Sequence, residues 1–126
     1  MAVYNLSPIF QPQYVGDPAA ALAFAPPGAG SVVPTSYNYQ IYTCRVANTT
    51  NAPVSLQVWR VPAGAEGDNQ HLVVPSINIP VASQTFPDFD VTALWGAVLQ
   101  PGDSIWAQAS VANALIIQAD GAVIQP

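Results

Sequence analysis

The sequence predicts an all-β protein: an antiparallel β-sandwich or jelly-roll-like single domain with a Pro-rich extended N-terminal arm and one short helix. Three observations predict it. Val54, Leu56 and Val58 alternate with Ser55, Gln57 and Trp59, the period of a half-buried strand. Turn-forming clusters recur at short intervals between such runs, as they do in sandwiches and barrels. Six of the 13 prolines crowd into the first 36 residues, where they oppose both a helix and a central strand.

Taken in order, residues 1–36 read as an extended arm and residues 37–126 as the β domain. The arm carries the anchors Tyr4, Ile9, Phe10, Tyr14 and Phe24, and reads either as a partly disordered tail or as an arm that lies along a neighbouring subunit. Within it, Ala19–Ala25 suits a short strand or one helical turn. Tyr37–Asn48 is a run rich in aromatic and β-branched residues, ended by the turn formers Asn48-Thr49-Thr50-Asn51-Ala52-Pro53. Val54–Val61 is the next strand, and Pro62–Asn69 a polar loop. Leu72–Val81 reads as a strand interrupted by Pro75 and Pro80, hence at an edge. Gln84–Phe89 is short and extended. Val91–Leu99 suits a turn or two of helix capped by Asp90, although Ala93 leaves the capping box incomplete. Gln100–Asp103 is a turn. Ser104–Ser110 and Leu115–Ile124 then make a closing hairpin around residues 111–114.

The strict side-chain period assigns faces. With Val54, Leu56 and Val58 inside, Trp59 lies outside beside Ser55 and Gln57. With Ile105, Ala107 and Ala109 inside, Trp106 lies outside with Ser104, Gln108 and Ser110. On the first long strand, Tyr42, Cys44 and Val46 point in and Arg45 out. Outward tryptophans suit a protein interface or a sugar platform, or are covered by a loop or the arm. Cys44 becomes a small buried hydrophobe.

Composition narrows the function. Only 7% of the residues are charged and 51% are apolar, and the net charge is −5. Arg45 and Arg60 are the only cations, too few for the basic stripe that nucleic acid requires or for a polybasic membrane anchor. No window approaches the ~18 apolar residues of a membrane span. A surface with so little charge suits a chain covered in use by its own copies or by a partner. The lone Cys44 forms no disulfide within the chain, and Met1–Pro18 lacks the charged and apolar regions of a signal peptide, so folding in a reducing cytoplasm is expected. Asn5-Leu6-Ser7 and Asn48-Thr49-Thr50 match the glycosylation sequon but read as turn residues.

No catalytic constellation emerges, so no enzyme, cofactor or metal is expected. One histidine, His71, and one cysteine cannot supply a zinc site, and no nucleophile elbow accompanies His71. Asp88 and Asp90 form a carboxylate pair, explained by a turn and a helix cap, with no third acid nearby for calcium. Gly28-Ala29-Gly30 precedes neither a helix nor a lysine and is no phosphate cradle.

A resemblance covers Tyr42 to Ile124. Val46-Ala47-Asn48-Thr49-Thr50, Val61-Pro62-Ala63-Gly64, Leu99-Gln100-Pro101-Gly102-Asp103-Ser104-Ile105, Ala107-Gln108-Ala109-Ser110 and Asp120-Gly121-Ala122-Val123-Ile124 carry it by order and spacing. In these segments the chain resembles the small β-sandwich virion proteins of tailed bacteriophages. The resemblance implies a structural component of a virion, a capsid decoration (cement) or tail-associated protein, assembled in the host cytoplasm. It further implies a homo-oligomer, with a trimer as the expected state, bound to major capsid or tail proteins. The expected interface residues are Tyr4, Phe10, Tyr14, Phe24, Trp59 and Trp106. The alternative is a glycan-binding host-recognition module of a fibre or tail tip, with Trp59, Trp106 and Tyr37 or Tyr39 stacking on sugars.

Overall fold

The computed structural model describes residues 3–25, 30–65, 69–84 and 87–125. Among these the strands are β1 (Val3–Tyr14), β2 (Ala20–Ala21), β3 (Asn38–Asn48), β4 (Val54–Val61), β5 (Leu72–Ile79), β6 (Phe89–Asp90), β7 (Val98–Leu99), β8 (Ser104–Ala109) and β9 (Leu115–Gln125). The protein is all-β. One sheet runs β1-β9-β3-β6, with β7 also on β3, and the other runs β2-β8-β4-β5. Every pairing is antiparallel. Residues of both sheets, among them Ile41, Val46, Leu56, Val58, Ile105 and Ile117, form one buried cluster.

Val54–Val61 and the edge position of Leu72–Ile79 agree with the sequence reading. Ile105, Ala107 and Ala109 are buried as expected. Five expectations are corrected. The last two strands are not a hairpin, because β8 and β9 belong to different sheets and residues 111–114 carry the chain between them. The expected helix is a single 3₁₀ turn at Thr92–Leu94, followed by β7. Its N-cap position is Val91, without a side-chain cap, because Asp90 is drawn into β6 opposite Arg45. Asn5 and Ser7 are not turn residues but pair with Val123 and Gly121 in β1. Within Gln84–Phe89, residues 85–86 lie outside the described residues, and pairing begins only at Phe89.

The fourth correction concerns the arm. Residues 3–14 form the edge strand of the first sheet, a position that tolerates the missing amides of Pro8 and Pro12. Register shifts between Pro8 and Phe10 allow Ile9 and Phe10, consecutive residues, both to be buried. Phe24 then stacks on Phe10 at 5.3 Å and meets Tyr39 edge-on at 5.3 Å. Such aromatic pairs contribute about 0.5–1.5 kcal/mol each beyond burial. The return segment is tied to both sheets, since Ala25 N donates to Ile9 O at 2.8 Å and Leu22 N to Ile105 O at 2.8 Å. Gln13 bridges the same seam, donating to Ala23 O at 2.8 Å and accepting from Ala23 N at 3.1 Å.

A second register shift decides the faces of the first sheet. Ile41 pairs with Gly121 and Thr43 with Asp120, so Tyr42 is an extra residue bulged outward. Tyr39, Ile41, Cys44 and Val46 are therefore buried while Tyr42 is exposed, contrary to the expectation that Tyr42 points in. Asn48 closes the strand as a buried polar anchor. Its amide donates to Ala52 O at 2.8 Å and Ile79 O at 3.0 Å, and its Oδ1 accepts from Thr50 N at 2.9 Å.

Candidate functional site

The expected interface residues separate into three groups. Phe10 and Phe24 are core residues of their own chain and present nothing to a neighbour. Trp59 is only 6% exposed, and its Nε1 finds no hydrogen-bond partner among the described residues, so its reading as an outward contact is corrected. Tyr14 is exposed at 54% and Trp106 is half-buried. The side chain of Tyr4 lies outside the described residues, although its backbone pairs with Ile124.

Trp59 and Trp106 stand directly opposite one another on β4 and β8. Trp106 donates its Nε1 to Ser104 Oγ at 3.0 Å, which leaves its ring as the contact group. On the same rows, Gln57 faces Gln108. Ser55 and Ser110 extend the ladder, Ser55 N donating to Ser110 Oγ at 3.0 Å and Ser110 N to Ser55 O at 3.0 Å. The accessible face of the second sheet thus runs from the half-buried Trp106 to a field of uncharged amides and hydroxyls.

The outer face of the first sheet is different in chemistry. Leu6, Ala122, Gln40 and Val98 lie in one lateral row across β1, β9, β3 and β7. Leu6 is 82% exposed, and Val98 is exposed as well. Gly96 N donates to Ile41 O at 2.7 Å, which ties the segment carrying the exposed Trp95 to β3 next to the bulge at Tyr42. The row contains no charged residue of its own, although the Arg60 guanidinium reaches its end by donating to Val98 O. The acidic and basic side chains of this face begin at the next row, at Asp120, where Arg45 lies 3.7 Å from Asp88 and 3.9 Å from Asp120. These half-exposed pairs contribute about 0–1 kcal/mol.

Other candidate chemistry is sparse. A cavity of about 290 Å³ is lined by Arg60, Pro62, Gln70, His71, Leu72, Val73 and Asp103. It gathers the histidine and an arginine, but Arg60 donates to Val98 O, and both carboxylate oxygens of Asp103 are occupied. Asp103 Oδ1 accepts from Ala63 N at 3.2 Å and Oδ2 from Gln100 N at 2.9 Å, so Asp103 ties two turns together. Among the described residues no three His, Cys, Asp or Glu side chains are grouped to hold a metal. No helix among them is long and apolar enough to cross a membrane. Burial pushes the Cys44 thiol up from its ordinary 9.0 to about 12, which keeps it protonated and unreactive.

Sequence reasoning missed Leu6, Tyr42, Trp95 and Val98. Tyr42 is hidden by the bulge, Trp95 by the expected helix, and Leu6 by the expected arm. Compared with protein-family models, curated proteins and solved structures, the chain shows no match.

Proposed function

We propose that this chain is a β-sandwich structural protein of a bacteriophage particle, most simply a capsid decoration protein that self-associates and binds the particle surface. The observation that supports this reading is the outer face of the first sheet, where the large apolar side chains of Leu6, Val98, Trp95 and Tyr42 are exposed. Several large apolar side chains exposed on one face suit an interaction site. The composition points the same way, because a chain with 7% charged residues has little else to keep copies apart in solution. Two sheets over one core and the resemblance of residues 42–124 to phage virion proteins complete the reading, with jelly-roll-like topology and a trimer as its finer expectations.

Light scattering coupled to size exclusion tests it, followed by co-sedimentation with capsids from which decoration is absent. A discrete oligomer that Leu6→Lys with Val98→Lys dissolves, together with capsid binding, is the expected result. A monomer at all concentrations without affinity for capsid or tail proteins overturns it.

A further inference from the structure

The outer face of the second sheet holds a groove of about 280 Å³ lined by Ser55, Gln57, Ser76, Gln108, Ala109 and Ser110. We propose that this groove binds a neutral carbohydrate through paired hydroxyl groups. The proposal is independent of the assembly reading, which rests on the other sheet.

The atoms left unmatched by the fold carry the argument. Gln57 donates its Nε2 to Pro75 O at 2.9 Å, and Gln108 donates its Nε2 to Asp17 Oδ1 at 2.8 Å. The two glutamines are direct cross-strand partners, a separation of about 4.5–5.5 Å between Cβ atoms. Their amide nitrogens are thus held by different neighbours, and both Oε1 atoms are left as acceptors on adjacent side chains. Two adjacent acceptors match two adjacent hydroxyl donors, the pattern a sugar ring offers and a carboxylate or phosphate does not. Ser55 Oγ donates to Asn78 Oδ1 at 3.0 Å, so the rim is held in place as well. Side chains already fixed by such bonds lose little further freedom on binding.

The lining carries no formal charge, and the nearest acid, Asp17, is engaged by Gln108. An ionic ligand finds no counter-charge there. Two residues before Gln108 on the same face, Trp106 is half-buried with its indole nitrogen engaged, which places an aromatic ring at the end of the polar field. Groove size falls near the lower end of the ~300–1,000 Å³ typical of ligand sites, room for a short stretch of a glycan.

The test is an amide-resolved NMR titration of the full chain with maltohexaose, cellohexaose, mannohexaose and N-acetylchitohexaose, each to ~10 mM, the weak end of useful affinity. The expected result is saturable shifts at Gln57, Gln108 and Ser110 with at least one of these sugars. In Gln57→Ala and Gln108→Ala the same sugar should bind ~10-fold or more weakly, the loss of one well-placed hydrogen bond. The spectra themselves report that each variant is folded. No shift with any sugar overturns the proposal, as does undiminished binding by both variants. Shifts confined to Leu6 and Val98 also overturn it, and so do shifts in the groove caused by an uncharged Gly-Ser peptide but by none of the sugars.

Discussion

At the residue scale, the most demanding position is Gly121. A Cβ there would stand 1.8 Å from Gln40 O and 2.9 Å from its carbonyl carbon, a clash with the backbone of a neighbouring strand. Bulges flank it on both sides, near Ile9 on β1 and at Tyr42 on β3, and the close approach follows from that geometry. Gly121→Ala is therefore expected to destabilise by ~2–4 kcal/mol, read from urea denaturation, because backbone rather than a flexible side chain must move. A loss below ~0.5 kcal/mol, the usual range of a surface substitution, would show that the strands can part there. Cys44 supports a prediction of opposite character. Its thiol is expected to resist thiol reagents at pH 8 until the chain is unfolded. Because the folded pKa, about 12, lies above the ordinary 9.0, its contribution to stability is complete below pH 9. It is then lost as the unfolded chain ionises, by ~1.4 kcal/mol per pH unit up to the folded value. Comparing the parent with Cys44→Ala across that window isolates the effect, and identical slopes would refute it. The burial of Cys44 was legible from the alternation with Val46. The exposure of Tyr42 was not, because one extra residue in a strand inverts the parity on which the reading depends.

At the element scale, strands with clean alternation were legible and connections were not. Val54–Val61 carries its own pattern, and Pro75 announces that Leu72–Ile79 lies at an edge. The N-terminal segment failed for a related reason: prolines exclude a central strand but permit an edge one, and local sequence cannot show which edge is vacant. Of the candidate interface residues there, Phe10 and Phe24 were recognised as anchors, but their partner is their own chain. Helix and strand signals also competed at Asp90, where pairing with Arg45 prevailed over capping. A direct prediction follows for a chain beginning at Tyr37. It lacks Ile9, Phe10, Val15, Leu22, Phe24 and Val33 from the common core and uncovers one edge of β9. Losing even one such Phe costs about 3–5 kcal/mol, against a total stability of about 5–15 kcal/mol for a whole domain. The shortened chain should therefore show no cooperative thermal transition and no near-ultraviolet circular dichroism. A sharp transition near that of the full chain would mean that residues 37–126 fold alone and that the preceding segment is an accessory clasp.

At the scale of the whole molecule, the two outer faces differ in what they leave unsatisfied. The first exposes the large apolar side chains of Leu6, Tyr42, Trp95 and Val98, and the second exposes amide and hydroxyl groups beside the half-buried Trp106. The sequence reading recognised the scarcity of charge and the second face, but a row assembled from β1, β9, β3 and β7 exists only once the strands are paired. If the first face is where copies meet, salt should reveal it. Net charge −5 opposes association at low ionic strength, while the row itself contributes no ion pair for salt to screen. Raising sodium chloride to ~1 M, where screening acts beyond about 3 Å, should leave the oligomer intact or strengthen it. Leu6→Lys should reverse this at low salt by placing one cation per copy in an apolar contact, with dissociation visible in the scattering mass. Arg45→Gln, which touches only the charged band of Asp88 and Asp120, should leave the mass unchanged. Should salt dissolve the parent oligomer, or Arg45→Gln break it while Leu6→Lys does not, the contact would be electrostatic and would lie on the charged band instead.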